Sequence, residues 1–421
     1  MRLTGLSISK WALEAIQTER LPMTVLTIPH GVCVATHMKF QVCRPVPMVQ
    51  RIMPLQNIRR INAFIAVAGI VLAALPSASQ RPPGGDPVIG QRIAKGLAFG
   101  DKLWILGTMP NPREVAGGLV SLGLADNRRL VHFEGGVLDI ATSDHDLWVL
   151  RKGSGEHRFV VALWAGGVFH QLGEFQLSAE DAPLALLENA GAPAVLSQKA
   201  VHYLASDNRW RVIELNGKLR SGVQVSAASP EEGGTIYIGF DIGEWGGGLQ
   251  QIDLKTGVVN EIERRDTKNL CGGPLNRECD PVTGLIPDRG NKSCVLASIG
   301  LVHMFSSNGR ILRICGAQVT LLTEIPIKAA EKRTGSNWGR TEAFYGLAIC
   351  PKGGFWGITY RALYHFDSAG AKDTEYLLPK LESVSGIHLS RALPGVVVLQ
   401  TDVNWAVSTS GYTPLLVPLE N

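Results

Sequence analysis

Along the chain from about residue 96, short runs of β-branched and aromatic residues alternate with turns rich in Gly, Asp, Asn and Pro, and there is little sustained helical periodicity. The pattern predicts an all-β chain. Its clearest stretch, Gly346 to Leu378, reads as four strands, GLAIC, FWGIT, LYHFD and TEYLL, joined through PKGG, YRA and SAGAKD. LWILG (103–107), LWVLR (147–151) and TIYIG (235–239) match FWGIT, while VHYLA (201–205), LVHMF (301–305) and LQQID (249–253) match LYHFD. Laid end to end, these give units 1 to 7 over residues 96–135, 136–179, 180–220, 221–265, 280–318, 343–383 and 384–421. A period of about 40 residues is that of four-stranded propeller blades, each of which buries its apolar faces only against its neighbours. The expectation is a seven-bladed β-propeller of four-stranded antiparallel blades. Six or eight blades stay open because units 3 and 7 are diverged, and a pair of β-sandwiches is the competing architecture.

The segment LAICPKGGFWGITYRALYHFD at 347–367 resembles the repeat of two-component regulator propellers, and GLIPDRGNKSCVLASIGLVHMFSSNGRI at 284–311 is a looser copy. The resemblance covers about a quarter of the chain. It implies an extracellular sensor region of the kind followed by a membrane span and a kinase. Neither is recognisable here, so no signalling role is carried over.

Composition narrows the classes. The 421 residues leave room for two or three domains, and 45% apolar residues with 47 Gly and 23 Pro describe a folded, turn-rich chain. The formal charge of +4 is misleading, because residues 1–79 hold eight Lys/Arg against Glu14 and Glu19, leaving the rest at net −2. Nucleic-acid binding therefore has no electrostatic footprint.

Asn57-Ile58-Arg59-Arg60, the apolar run Ile61 to Leu75 and the small residues Pro76-Ser77-Ala78-Ser79 read as a secretory signal cut near Ser79/Gln80. The run is shorter than the roughly 20 residues that span a bilayer, which makes a retained anchor the alternative and predicts no membrane span in the mature chain. Since such signals start near the initiator, Met53 is read as the true start. Residues 1–52 are then mis-annotated upstream sequence, against the alternative of a genuine extension; 53–79 is the signal, 80–95 a linker and 96–421 the propeller. The expected location is periplasmic or secreted. Export allows the later cysteines to pair. Cys271 and Cys279 share a loop and are expected to bridge, Cys315 is an alternative partner for either, and Cys350 is a buried thiol or a partner of Cys294. The spacing lacks the two close Cys/His pairs of a zinc site.

In a four-stranded blade, the connections from strand 2 to 3 and from strand 4 to the next blade share one face. That face receives 109–117, 152–158, 242–247, 266–279, 316–342, 360–361 and 402–404, and long ordered loops gathered on one face usually serve recognition. The candidate ligand-binding residues are Glu244, Trp245, Arg340, Glu342, Tyr345, Tyr360 and Arg361: aromatics for stacking, with Arg and Glu to orient a polar ligand. The plainer alternative has Arg340 paired with Glu342 to hold a loop and Trp245 packed on its own blade. Gly246-Gly247-Gly248 reads as a turn rather than a phosphate cradle, since no Lys-Ser/Thr follows. Asp241, Asp266, Asp280 and Asp288 carry oxygen ligands for a structural calcium but lack the D-x-D-x-D-G spacing. No cofactor is expected. His202, His303 and His365 share one third-strand place, and His388, on the last inner strand, is the one histidine kept as a channel candidate. No G-x-S-x-G or H-E-x-x-H occurs.

The leading expectation is an exported, non-catalytic propeller that binds a small polar ligand, a glycan or a protein through its loop face. The alternatives are a lactone hydrolase or lyase with a metal at the channel mouth, and an assembly scaffold with a large apolar patch.

Overall fold

The computed structural model describes residues 24–28, 31–35, 41–44, 92–108, 117–126, 128–220, 224–266, 271–303, 306–327, 341–350, 353–378, 387–391, 395–403 and 410–418. The expected signal at 53–79 and its cleavage point lie outside them. The chain forms two compact bodies, Met1–Ile70 and Val71–Asn421. In the first, β1 (Thr24–Ile28), β2 (Gly31–Ala35) and β3 (Gln41–Arg44) make an antiparallel meander in which Cys33 stands opposite Cys43 in backbone register.

The second body is all antiparallel β. It opens with β4 (Arg92–Phe99), which begins within the span read as a linker and ends within unit 1, and continues with β5 (Lys102–Thr108), β6 (Gly117–Gly123), β7 (Arg129–Thr142), β8 (Leu147–Lys152), β9 (Arg158–Ala165) and β10 (Val168–Gln176). These strands form one seven-stranded sheet rather than two separate four-stranded ones. The first half of β7 pairs with β6 and its second half with β8, so units 1 and 2 share a strand. The join falls at Gly135-Gly136, where Gly136 takes φ 82° and the strand turns from one partner to the other.

Four-stranded meanders follow. Unit 3 is β11 (Pro183–Asn189), β12 (Ala192–Ser197), β13 (Ala200–Leu204) and β14 (Trp210–Glu214). Unit 4 is β15 (Gln224–Ala228), β16 (Thr235–Asp241), β17 (Leu249–Asp253) and β18 (Val259–Ile262). After a hairpin of β19 (Arg264–Asp266) and β20 (Gly272–Leu275), unit 5 is β21 (Val282–Pro287), β22 (Cys294–His303), β23 (Ser306–Cys315) and β24 (Gln318–Thr323). Unit 6 is β25 (Phe344–Ile349), β26 (Phe355–Thr359), β27 (Ala362–Phe366) and β28 (Lys372–Leu377). A three-stranded sheet, β29 (Ile387–Arg391), β30 (Gly395–Val403) and β31 (Ser410–Pro418), comes last.

Alternation along each strand sends its two faces to different neighbours. Ile236, Ile238 and Phe240 of β16 are buried with Leu187, Leu196 and Val201 of unit 3. Tyr237, between them, is buried instead with Val282, Val295 and Leu312 of unit 5. The same interleaving joins units 1 and 2 around Trp104, units 2 and 3 around Trp148, and units 5 and 6 around Phe344 and Phe366. First strands touch in order, β4 on β7, β7 on β11, β11 on β15, β15 on β21, β21 on β25 and β25 on β29, and β29 returns to β4.

Three expectations are corrected. LVHMF is not a third strand: its described residues, Leu301 to His303, end β22, which pairs with β23 in a hairpin where Gly300 faces Gly309 and His303 faces Ser306. The hairpin continues past the body of the sheet because a Cβ at Gly300 would strike the Phe344 carbonyl, and one at Gly309 the Glu342 carbonyl, so only glycines let it cross the start of unit 6. The three histidines are therefore not equivalent. In register, His202 occupies the place of Tyr364, and His365 lies one residue further on. The loop expected over 316–342 is also shorter, since Gly316 sits in the β23–β24 turn and the connection starts after Thr323.

Candidate functional site

The site grows from a feature repeated in three units. The first strands β11, β21 and β25 each carry a bulge at their second residue, opposite the end of the second strand in units 3 and 6 and opposite Ile299 within the longer β22 in unit 5, and two residues before each strand stands an acid: Asp181, Asp280 and Glu342. All three acids are buried. In unit 3, Ser197 Oγ donates to Asp181 at 2.8 Å and also accepts from the Ala200 amide at 2.9 Å, closing the turn from β12 to β13. In unit 6, Thr359 does the same, donating to Glu342 Oε2 at 2.7 Å and accepting from the amides of Arg361 and Ala362. Unit 5 has Ile299 at that place, which offers no hydroxyl, and Asp280 is held instead by the buried Arg310.

Unit 6 adds groups that unit 3 lacks. Arg361 gives Nε to Glu342 Oε1 at 3.0 Å and Nη2 to the same oxygen at 2.8 Å, and Nη2 also reaches the Tyr364 hydroxyl at 2.8 Å. The Tyr364 hydroxyl lies 3.0 Å from Glu342 Oε2 and 3.1 Å from Oε1. Glu342 is thus surrounded by donors from Thr359, Arg361 and Tyr364. Tyr345 is the bulged residue of β25, and a bulge re-aims the side chain it carries. Burial first, and the nearby Tyr360 second, push the Tyr345 hydroxyl up to about 12. Burial, followed by the Glu342 charge, also holds the Tyr364 hydroxyl well above its usual range.

Glu342, Tyr345, Tyr360 and Arg361 line one pocket of about 430 Å³ with Val302, Ser307, Ile327 and Ala343. Four of the seven expected residues therefore come together. Val302 and Ser307 arrive on the long β22–β23 hairpin, which supplies a wall that the sequence pattern did not reveal; the facing glycines 300 and 309 were its signal. Glu244 and Trp245 sit in a short 3-10 turn, Gly243–Trp245, that packs against β22 but does not line the pocket. Trp245 is 74% exposed, so it does not pack on its own sheet. Arg340 lies outside the described residues; within them the carboxylate of Glu342 is paired with Arg361.

The turn carrying Trp245 is fastened from below. Gly247 and Gly248 donate to the Arg277 and Asp280 carbonyls, each at 3.0 Å, and the 271–280 loop is closed by the expected Cys271–Cys279 disulfide. A second bridge joins Cys294 to Cys315 across the β22–β23 ladder, so Cys315 does not reach the loop, and Cys350 is a buried free thiol. The four aspartates weighed for calcium do not gather among the described residues. Asp280 and Asp288 flank β21 at opposite ends, held by Arg310 and Arg313 respectively. His388 stands opposite Leu399 in backbone register.

Among the described residues of the pocket, the Glu342 carboxylate accepts from Thr359, Arg361 and Tyr364, and the Tyr345 hydroxyl is held up at about 12. Shape, aromatic surface and directed hydrogen bonds are what it offers a ligand.

No family model matches the chain, and no curated protein matches it. Solved structures similar to it include Kuenenia stuttgartiensis hydrazine synthase, at 12% identity and TM-score 0.48 over 79% of this chain and 97% of that one. YCF48 bound to D1 peptide is similar at 9% identity and TM-score 0.46, covering 79% and 94%. The β-propeller domain of the Trilobed protease from Pyrococcus furiosus is similar at 9% identity and TM-score 0.42, covering 73% and 88%.

Proposed function

We propose that the second body is a seven-bladed β-propeller, exported to the periplasm or beyond, that binds a small polar ligand, a glycan or a protein segment through one face and does not transform it. The returning order of first-strand contacts, with β29 against β4, supports a closed ring. The shared strand β7 merges the sheets of two blades without altering that order. Two disulfides suit an oxidising compartment.

The observation that carries the binding reading is the convergence of Glu342, Tyr345, Tyr360 and Arg361 on one pocket, with the carboxylate committed to Thr359, Arg361 and Tyr364. A carboxylate so engaged orients the arginine and is not free to act as a base. Ligand-detected NMR of the full chain against glycans, small metabolites and short peptides tests this. Binders are expected that lose their signal in Tyr360→Ala and stay chemically unchanged over days. A binder that is consumed, or one indifferent to Tyr360, contradicts the reading.

A further inference from the structure

Resting on that reading of the pocket, we infer that its ligand is an uncharged ring compound with an oxygen acceptor, not an anion. Unit 3 serves as the reference. There the acid and the hydroxyl, Asp181 and Ser197, close the turn alone, and the counterpart of Arg361 is Lys199, which reaches out to the exposed Glu180 at 3.0 Å. The acid therefore belongs to the blade, whereas the arginine drawn inward onto it belongs to the pocket.

Among the described residues, charges around Arg361 cancel. Glu342 and Glu375 lie 2.8 and 3.4 Å from its Nη2, and Lys372 pairs with Glu375 at 2.7 Å, so two cations face two carboxylates. An incoming carboxylate or phosphate would have to compete with Glu342 for a guanidinium that these described groups leave without surplus positive charge. Neutral acceptors face no such competition. Arg361 spends Nε and Nη2 on Glu342 and Tyr364, while Nη1 makes no hydrogen bond within the described residues. That nitrogen, on a guanidinium fixed from behind by Glu342, is a ready donor at the edge of a pocket whose walls are mostly apolar or aromatic, Tyr345, Tyr360, Val302, Ile327 and Ala343, with Ser307 as the remaining polar residue. Such walls accept the flat face of a ring.

The test titrates benzamide, toluene and benzoate into the full chain by saturation-transfer NMR. Benzamide is expected to bind at millimolar concentration, about tenfold tighter than toluene, the difference one charged-donor hydrogen bond makes; benzoate should bind no better than toluene. Arg361→Lys should remove the preference for benzamide, and Tyr360→Leu should weaken all three. Tyr360 is half-exposed and makes no hydrogen bond within the described residues, so its variant decides the matter should Arg361→Lys fail to fold. Tighter binding of benzoate overturns the inference but leaves the pocket reading standing. Failure of all three to bind, or binding indifferent to Tyr360→Leu, overturns both.

Discussion

Units 3 and 6 place the same device at the same point of a meander and use it differently. Asp181 and Ser197 in one, Glu342 and Thr359 in the other, tie the start of a first strand to the turn between second and third strands. In unit 3 the tie ends there: Lys199 points into solvent, and His202 stacks on Phe175 with centroids 4.5 Å apart, its Nε2 without a hydrogen-bond partner. In unit 6 the longer acid collects Arg361 and Tyr364 as well, and the bulge beside it carries an aromatic, Tyr345, where unit 3 has Leu184. A buried acid thus stands before the first strand of units 3, 5 and 6, and what surrounds it separates a simple turn in unit 3 from a pocket wall in unit 6.

Breaking each copy of the tie ranks the three versions. The largest effect is expected in unit 5: Arg310→Met strands Asp280 in the interior without its cation and should cost about 3–5 kcal/mol in urea unfolding. Glu342→Gln removes charge from a cluster of donors and should cost about 1.5–3 kcal/mol. Asp181→Asn weakens a single hydroxyl contact in the less elaborate unit 3 and should cost about 1 kcal/mol. Lys199→Ala touches only an exposed pair and should stay within about 0.5 kcal/mol of the parent chain. An Asp181 variant that destabilises more than the Glu342 one would reverse the comparison.

Acid sharpens it further. Burial lowers the pKa of His202, against opposing pulls from Asp181 and Glu214, so the folded chain resists protonating this ring more than the unfolded chain does. A histidine with a depressed folded value contributes stability that is full above its unfolded pKa and is lost as the pH falls through the window between the two. His132 behaves alike, lowered to about 4 by burial and by Lys102, with its ring stacked on Trp104. His202→Phe should therefore flatten part of the loss of stability below about pH 6.5. Chemical unfolding followed between neutral and acid pH checks this; an unchanged acid limb contradicts it. Tyr364, the counterpart in unit 6, contributes no such limb, because its hydroxyl is neutral throughout that range.

Much of this arrangement was legible in the residues. The aromatic second strands LWILG, LWVLR, TIYIG and FWGIT fall on β5, β8, β16 and β26, because a strand buried on both faces between neighbouring sheets reads as a short, nearly continuous apolar run. The Cys271–Cys279 bridge was readable from its short loop. The β22–β23 hairpin was not, since apolar residues run on through a long hairpin and LVHMF shares the Leu and His places of LYHFD. That single misreading also hid the second disulfide, by moving Cys315 off the strand that faces Cys294. The acid tie was hidden differently: Asp181 and Glu342 lie 16 and 17 positions before their hydroxyl partners, and only the register shows that they meet. Trp245 was placed on the proper turn but given company it lacks, because exposure is a property of the neighbours and not of the residue.

The most direct test compares counterparts. Benzamide is titrated calorimetrically into the full chain and into its Arg361→Lys and Lys199→Ala variants. A pocket built on the inward-drawn arginine predicts binding weakened about tenfold in Arg361→Lys and unchanged in Lys199→Ala. Equal affinities in all three, or a loss confined to Lys199→Ala, would show that the two turns differ in shape alone and that Arg361 meets no ligand.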